Sequence, residues 1–334
     1  MYKVFVLGVL PPPVGGVSIH VSRFVDFCQD STDEFKVALF DYKKNQFFLD
    51  GMRKSWAGMI LFLVSANIIH IHVSSSVKVI FALLAKLMRK KVVYTHHNSL
   101  VGNSVAFKLI VMLSDTVILV NSEKIKQHLD LNGADNKIVE IPAFIPASRS
   151  HSLPEQLTDK IFGYTSVISV NCSSNKQISG EEVYGISRLV RVFEKMAEEK
   201  FIENFVLLVC DPSGSYREQI DWGGLSELKF GNGIIYWGDM VDFTEVIKLS
   251  ACTVRPTITD GDSISVRESI YFGVHVVASD CVRRPLGTVT YKTLDDDDLM
   301  EKILKVVSGA FGNPDKGAGN YAHDVLEAYR KLMV

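Results

Sequence analysis

One part of the sequence indicates the fold class most clearly: Val254-Arg255-Pro256-Thr257-Ile258-Thr259-Asp260-Gly261-Asp262-Ser263-Ile264-Ser265-Val266-Arg267-Glu268. An apolar strand end runs into a polar loop, a helix is predicted from near Val266 to Gly273, and a β-branched run follows from Val274. Strand, loop, helix and strand in this order predict one unit of a parallel α/β sheet. In open sheets of this class, ligands bind at the carboxyl ends of the strands, where this loop lies.

The residue types in the loop indicate what such a ligand carries. Backbone N–H groups and a helix N-terminus suit a phosphate, whereas the carboxylates of Asp260 and Glu268 accept hydrogen bonds from hydroxyls. A nucleotide sugar has both features. Ser265 and Glu268 also have the spacing of a capping box, in which Glu268 only caps its own helix. The density of polar residues favours a ligand, but both interpretations stay open at this point.

Length and composition limit the class of protein. A chain of 334 residues predicts two domains, and 47% hydrophobic with 22% charged residues indicates a folded globular chain. The net charge of −2 excludes a typical nucleic-acid binder. The five cysteines are scattered without metal-ligand spacing, which predicts reduced thiols in a cytoplasmic protein. The apolar region 56–73 contains Asn67, His70 and His72, so no membrane span is predicted.

The first half of the chain begins with strand 4–8, a loop at 11–18 and a helix at about 17–28. The loop lacks the G-x-G-x-x-G pattern of dinucleotide binding. Gly15 and Gly16 either let the backbone approach a ligand closely or form a stiff turn with the prolines before them. Further strands are predicted at 37–40, 68–73, 92–95, 116–120 and 138–141, with helices at 56–66, 77–89 and 123–131 between them. Polar residues that follow these strands converge on one edge of the sheet: His72, His96, His97 and Ser122.

The second half repeats the alternation after a hinge at 142–146 and a linker to about 159. Strands are predicted at 165–170, 205–209, 234–238 and 274–280, and helices at 185–199, 242–250 and 297–307. Four consecutive aspartates, 295–298, suit a helix N-terminus better than a metal ion, which they cannot all face. No metal site and no cofactor are predicted. The last helix, 321–333, is expected to pack back on the first domain.

The residues 1–20, with Pro-Pro-Pro-Val-Gly-Gly-Val-Ser-Ile-His, resemble the N-terminal loop of bacterial glycosyltransferases of family 4. Residues 255–280 resemble the donor site of that family, which has two carboxylates separated by seven residues, with Asp260 in place of the usual Glu. The resemblance is to members that build surface polysaccharides such as O-antigen and capsule. It implies an α/β GT-B fold, two doubly wound Rossmann-like domains facing a central cleft. Residues 1–150 would bind the acceptor, 151–318 the donor, and 319–334 would return to the first domain.

The resemblance also implies roles for individual residues. Glu268 would bind the ribose hydroxyls, and Asp260 would bind the sugar hydroxyls. His97 would lie near the transferred sugar, with His96 as the second choice. Gly15 and Gly16 would contact the diphosphate. The donor site would further include Gly261, Asp262, Ser263 and Ile264. Family members are typically metal-independent and retain the anomeric configuration.

One departure concerns the cations that neutralise the diphosphate. The family places an Arg and a Lys early in the second domain, and no such pair aligns here. The candidates are Lys176, Arg188, Arg255 and Arg267. This gap leaves open a catalytically silent subunit that binds a nucleotide sugar. A nucleotide-sugar epimerase lacks a visible acid/base set, and a nicotinamide oxidoreductase lacks the glycine pattern.

The expected partners are a nucleotide-sugar donor, with UDP preferred to GDP, and a saccharide acceptor linked to polyprenyl diphosphate. Contact with the inner face of the cell membrane is expected through basic residues of the helix at 77–89, although helix C-termini carry such residues for their dipole alone. These residues are Lys78, Lys86, Arg89, Lys90 and Lys91.

Overall fold

The computed structural model describes residues 1–98, 104–121, 125, 135–148, 151–312 and 319–334. Ser122 and, apart from residue 125, the predicted helix at 123–131 lie outside these residues. The chain divides into two compact units, Met1–Ser148 with Asn320–Val334 and Arg149–Gly319. All five cysteines are free thiols.

The first unit contains an eight-stranded sheet. Its strands are β1 (Tyr2–Gly8), β2 (Phe35–Asp41), β3 (Gln46–Leu49), β4 (Met52–Lys54), β5 (Ile68–Ile71), β6 (Lys91–His96), β7 (Thr116–Leu119) and β8 (Ile138–Glu140). Their order is β4-β3-β2-β1-β5-β6-β7-β8. All neighbours are parallel except β3, which pairs antiparallel with β2 and β4. Every strand predicted in this half is confirmed, whereas the β3–β4 hairpin was not predicted.

The second unit contains a six-stranded sheet that is parallel throughout. Its strands are β9 (Ser166–Asn171), β12 (Phe205–Cys210), β13 (Gly233–Trp237), β14 (Cys252–Arg255), β15 (His275–Ser279) and β16 (Val289–Tyr291), in the order β13-β12-β9-β14-β15-β16. A separate hairpin, β10 (Gln177–Ile178) with β11 (Glu181–Glu182), follows β9. The short strand β16 was not predicted.

Helices cover both faces of each sheet. Because the parallel strands are buried on both faces, their residues are apolar along most of each strand. The described α-helices are α1 (Gly16–Ser31), α2 (Trp56–Ser65), α3 (Val77–Leu87), α4 (Ser104–Leu113), α5 (Glu155–Ile161), α6 (Ile186–Glu198), α7 (Phe243–Leu249), α8 (Ile264–Phe272), α9 (Asp296–Val307) and α10 (Ala322–Met333). On the first sheet, Phe62, Ala82 and Phe107 anchor α2, α3 and α4 to one face. Phe24 and Tyr329 anchor α1 and α10 to the other.

On the second sheet, α6 and α9 pack on one face through Phe193 and Leu299. The other face is covered by α5 and α7, through Leu157 and Val246, and by α8 through Ile270. Each sheet thus forms the middle layer of a three-layer α/β unit.

The strand orders define where a ligand can bind in each unit. The chain moves outward from β1 to β2 and then returns to place β5 on the other side of β1. In the second sheet it moves from β9 to β12 and returns to place β14 beside β9. Each return is a topological switch point, and ligands of open α/β sheets bind outside the carboxyl ends of the strands there.

Candidate functional site

The loop 256–263 leaves β14 at the switch point of the second sheet. The Arg255 guanidinium donates to the carbonyl of Asn171 at the end of β9, 3.5 Å away, and so connects the two strand ends. The Ile258 N–H donates to the Val183 carbonyl at 3.0 Å. Gly185 lies in the left-handed region at φ 61°, and an added Cβ there would come within 2.5 Å of the Pro256 carbonyl oxygen. These contacts fix the loop against the segment that leads into α6.

Asp260 lies at the centre of a buried charge network. Its carboxylate accepts hydrogen bonds from Arg255 Nε at 3.1 Å and Nη2 at 3.3 Å, and from Arg284 Nη1 at 2.9 Å. It also accepts from the Gly261 N–H at 3.1 Å. Burial alone would raise the pKa of this carboxyl, but the two guanidinium groups hold it well below its usual range. Asp260 is therefore an anion whose main partners are arginines of its own unit.

Arg284 is a member of this network that was not predicted from the sequence. Its side chain is 3% exposed and also donates from Nε to the Ser279 carbonyl at 2.8 Å and from Nη2 to Thr257 Oγ1 at 3.3 Å. It thus joins the ends of β14 and β15. The available signal was a pair of arginines, Arg283 and Arg284, just beyond a predicted strand end.

The N-terminus of α8 follows directly from the loop. Ser263 is the N-cap residue and its side chain makes no capping hydrogen bond, and the first turn contains no acidic residue. Arg267 donates through Nε to both carboxylate oxygens of Asp262, at 2.6 and 2.8 Å, which holds the loop against the helix. The backbone N–H groups and the positive end of the helix dipole suit a phosphate at this position.

Glu268 does not occupy a capping-box position. Because α8 starts at Ile264 with Ser263 as its N-cap, Glu268 lies in the second turn of the helix. The capping interpretation of Ser265 and Glu268 is therefore wrong. Glu268 is 4% exposed, and one carboxylate oxygen accepts a hydrogen bond from Thr244 Oγ1 of α7 at 2.8 Å.

The four basic candidates for the diphosphate differ in their availability. Arg188 pairs with Asp296 and with Glu181. Arg255 pairs with Asp260, and Arg267 with Asp262. Lys176 is exposed, and its ammonium pairs with no carboxylate among the residues that the structure describes. Lys176 is the candidate with charge available for a ligand.

The glycine loop follows β1 in the first unit. Asp41 at the end of β2 accepts a hydrogen bond from the Leu10 N–H at 3.0 Å, and Lys44 donates to the Pro11 carbonyl at 2.7 Å. Gly15 is the N-cap of α1 and Gly16 its first residue. A Cβ added to either glycine meets no atom within 4 Å, and neither has a positive φ. Neither packing nor backbone conformation therefore requires glycine, which favours the interpretation that the open space receives a ligand.

His97 lies at the end of β6 beside two other histidines. His97 Nε2 is 2.9 Å from His72 Nδ1, and His20 of α1 contacts both rings. Burial lowers the pKa of His20 to about 4 and holds the pKa values of His72 and His97 well below their usual range. His96 points elsewhere, with Nδ1 2.9 Å from the Tyr94 hydroxyl. At neutral pH the cluster consists of neutral imidazoles.

A second surface of the first unit is strongly apolar. The outer sides of α2, α3 and α4 expose large apolar residues: Trp56, Ile60, Leu61, Val64, Val77, Ile80, Leu83, Leu84, Leu87, Val105, Leu109 and Met112. These residues form what we call the apolar face. The three helices contain no Asp or Glu. Lys90, which follows α3, donates through Nζ to the Val64 carbonyl of α2 at 2.5 Å. No described helix is long and apolar enough to cross a bilayer.

Lys78 does not lie on that surface, contrary to the prediction that it contacts a membrane. Its side chain is 4% exposed, and Nζ donates to the Tyr94 hydroxyl at 3.0 Å. Burial lowers the pKa of Lys78. Lys86 pairs with Asp115. In α3 a lysine is thus buried while leucines are exposed, the reverse of an ordinary water-facing helix.

Several solved structures have a backbone fold similar to that of this chain over nearly its full length. HepE from Anabaena, in complex with UDP-glucose, aligns with a TM-score of 0.65 at 13% identity and covers 100% of both chains. Sucrose-phosphate synthase from Thermosynechococcus elongatus aligns with a TM-score of 0.63 at 14% identity, over 100% of this chain and 99% of that chain. The lipopolysaccharide outer core galactosyltransferase WaaB aligns with a TM-score of 0.54 at 15% identity, over 98% and 95%.

These likenesses confirm the predicted GT-B fold, with two Rossmann-like parallel sheets along the full length of the chain. The sequence matches no family profile and no curated protein sequence closely enough to show a relationship. At such low identities the comparison establishes the fold, so the residues of the site must carry the functional argument.

Proposed function

We propose that the protein is a retaining glycosyltransferase that transfers a hexose from a nucleoside-diphosphate sugar, preferably a UDP-sugar, to a saccharide acceptor. The observation that carries the proposal is the loop 257–263 at the switch point of the second sheet, which leads into the uncapped N-terminus of α8. This placement suits a phosphate-bearing ligand. The full-length likeness to a protein solved with UDP-glucose supports the choice of donor.

In this proposal the donor lies along the loop and α8. Glu268, a buried carboxylate with a hydroxyl partner in Thr244, accepts hydrogen bonds from the ribose. Asp260 holds the loop in shape through its arginines and also accepts hydrogen bonds from the sugar hydroxyls, with the backbone of Gly261 to Ile264 beside it. Asp262 and Ser263 complete the wall.

The leaving group is a nucleoside diphosphate, and its developing charge must be stabilised for the glycosidic bond to break. Lys176 supplies a cation, and the N-terminus of α8 supplies backbone N–H groups. Gly15 and Gly16 offer an open backbone against which the diphosphate lies. The leaving phosphate takes the acceptor proton, so the step requires no protein base and no metal. His97 faces the transferred sugar.

The acceptor is proposed to be a saccharide linked to polyprenyl diphosphate, used in building a surface polysaccharide at the cytoplasmic side of the cell membrane. The first unit, about residues 1–150, would bind it, and residues 151–318 the donor. The apolar face supports this proposal because it exposes leucines on α2 and α3 without any nearby acid on these helices. Exposed apolar side chains on helices whose own charged residues are all basic suit an anionic lipid surface.

Sedimentation with vesicles tests the membrane contact. Wild-type protein should bind vesicles that contain phosphatidylglycerol more tightly than vesicles of phosphatidylcholine. On a vesicle, Leu61, Leu83 and Leu87 would each be partly buried in the lipid. Replacing each by serine removes roughly 1 kcal/mol of binding free energy, so the triple variant should bind about a hundredfold more weakly. Leu286→Ser, which changes a 93% exposed leucine of the second unit, is the matched control. Equal binding by the triple variant and this control would contradict the membrane contact.

Product analysis tests the proposed reaction. The protein is incubated with UDP-hexoses and a short-chain polyprenyl-diphosphate saccharide, and the product is examined by proton NMR. The proposal predicts a new glycosidic bond with the anomeric configuration of the donor, formed in the presence of a chelator. An inverted product, or a requirement for an added metal, would contradict it.

A catalytically silent GT-B subunit is the second candidate. The observation in its favour is that Arg188, Arg255 and Arg267 are all paired with carboxylates, so that Lys176 alone among the four candidates has charge available. This interpretation predicts that the nucleotide sugar binds but that neither transfer nor slow hydrolysis of the donor occurs. Release of free hexose from the donor, lost in Lys176→Ala, would favour the enzyme.

A further inference from the structure

Three histidines that are far apart in the sequence meet at the switch point of the first sheet. His72 follows β5, His97 follows β6, and His20 lies in the second turn of α1. One ring nitrogen of each histidine lies within 4.8 Å of the corresponding nitrogens of the other two. We call this group the histidine triad.

The spacing of the triad matches that of three ligands around one ion. The ring centroids are 5.3 Å apart for His20 and His72, 5.0 Å for His20 and His97, and 5.2 Å for His72 and His97. Three imidazoles bound tetrahedrally to zinc, at an N–Zn distance of about 2.0 Å, have centroids about 5.2 Å apart. The rings therefore already have the separation that a shared ion demands.

The hydrogen bonds of His20 leave its other nitrogen ready to bind. His20 Nδ1 lies 2.7 Å from the Ala143 carbonyl oxygen. Because a carbonyl can only accept, Nδ1 carries the proton and Nε2 presents a lone pair. A backbone carbonyl behind the remote nitrogen is the usual support of a histidine that ligates a metal.

His72 supplies an independent observation. It is 3% exposed, and its Nδ1 lies 2.9 Å from His97 Nε2, whereas its Nε2 has no hydrogen-bond partner among the residues that the structure describes. The neighbouring His70 shows what a structural histidine looks like here, since its nitrogens contact the Tyr329 hydroxyl at 2.5 Å and Thr95 Oγ1 at 2.7 Å. Burial of an unpartnered ring nitrogen is unfavourable, and an ion bound through Nε2 would remove that cost.

We propose that His20, His72 and His97 bind one divalent transition-metal ion of the zinc class. Three neutral imidazoles without a carboxylate favour zinc, cobalt, nickel or copper over magnesium or calcium. Three protein ligands leave a fourth position for water or another small ligand. The proposal departs from the expectation of no metal site. It shares His97 with the proposed transfer reaction, so ion binding is measured apart from activity.

Metal titration of the full chain, purified without a polyhistidine tag, tests the proposal. Zinc is added to metal-free protein in competition with a chromophoric chelator, and cobalt is added separately to record its visible absorption. The wild type should bind one zinc per chain, and cobalt should give the intense bands of a four-coordinate site. Zinc should also raise the melting temperature. His72→Ala should weaken zinc binding at least tenfold, and so should His20→Ala.

His275→Ala is the matched control, because this histidine lies in the second unit and its imidazole contacts the Gly312 carbonyl. It should bind zinc like the wild type. Circular dichroism and the metal-free melting temperature show whether each variant is folded. If His72→Ala fails to fold, the conservative His20→Gln replaces it. Zinc binding no tighter in the wild type than in a folded triad variant, or six-coordinate cobalt spectra, would overturn the proposal.

Discussion

Replacing Gly16 by alanine separates ligand binding from folding at the glycine loop. Gly16 is the first residue of α1, and an added Cβ meets no atom within 4 Å. Alanine is favoured over glycine in a helix by up to about 1 kcal/mol. The variant should therefore melt at the same temperature as the wild type or a few degrees higher.

The same methyl group occupies the space that the diphosphate is proposed to use. If the methyl group prevents one hydrogen bond between a backbone N–H and a charged phosphate, the binding of the nucleotide sugar loses about 1.5–3 kcal/mol of free energy. Binding of the nucleotide sugar, measured by isothermal titration calorimetry, should weaken roughly ten- to a hundredfold.

Gly58→Ala is the matched control, because Gly58 lies in the first turn of α2 and an added Cβ there would be 3.6 Å from Ser55 Oγ, an ordinary contact. This control should keep the wild-type affinity. Unchanged affinity in Gly16→Ala would refute the proposed role of the loop. A large loss of stability in the same variant would show instead that the glycine is structural.

Two further variants test the charge arrangements. Arg284→Met leaves Asp260 with one guanidinium partner instead of two. Breaking a buried ion pair costs about 3 kcal/mol, so the melting temperature of this variant, measured by calorimetry, should fall by roughly 6–12 °C. An unchanged melting temperature would contradict the network. Lys78→Met should stabilise the protein in urea unfolding at pH 7. Burial lowers the pKa of Lys78 in the folded state, so the unfolded state holds this proton more tightly, and the gain should shrink as the pH rises toward 10. A gain that grows with pH would contradict this assignment.

Much of the fold could be predicted because strands covered on both faces read as continuous apolar runs, as in β1 and β12. The β3–β4 hairpin escaped prediction because its strands have only four and three residues, and the residues of β4 are all exposed. The strand β16 is equally short. Such segments are set by pairing with a neighbouring strand, which local sequence does not reveal.

The donor loop could be located from its residues, but its internal pairing could not. Asp260 and Arg284 are separated by 24 residues, and nothing in the sequence connects them. The capping interpretation of Glu268 was wrong because the helix begins two residues earlier than expected, at Ile264. Sequence also gave no reason to expect Lys78 inside and Leu87 outside in α3.

The histidine triad shows the same limit at longer range. His20, His72 and His97 come from three different parts of the chain, and only the strand order brings them together. The metal ligands that sequence patterns find lie close together on one element or loop. The sequence therefore predicted that His72 and His97 meet at one edge of the sheet, but not that His20 of α1 joins them.

Calorimetric titration with UDP, alongside GDP, ADP and dTDP, shows whether the loop 257–263 and α8 bind a nucleotide. Among these nucleotides, UDP should bind the wild-type protein with the highest affinity. Glu268→Gln keeps the side-chain volume and an oxygen that accepts from Thr244, but it removes the charge that the ribose is proposed to meet. This variant should bind UDP roughly tenfold or more weakly while unfolding at a similar temperature. If no nucleotide binds the folded wild type, or if Glu268→Gln binds UDP as tightly as the wild type does, the loop and α8 do not form a donor site.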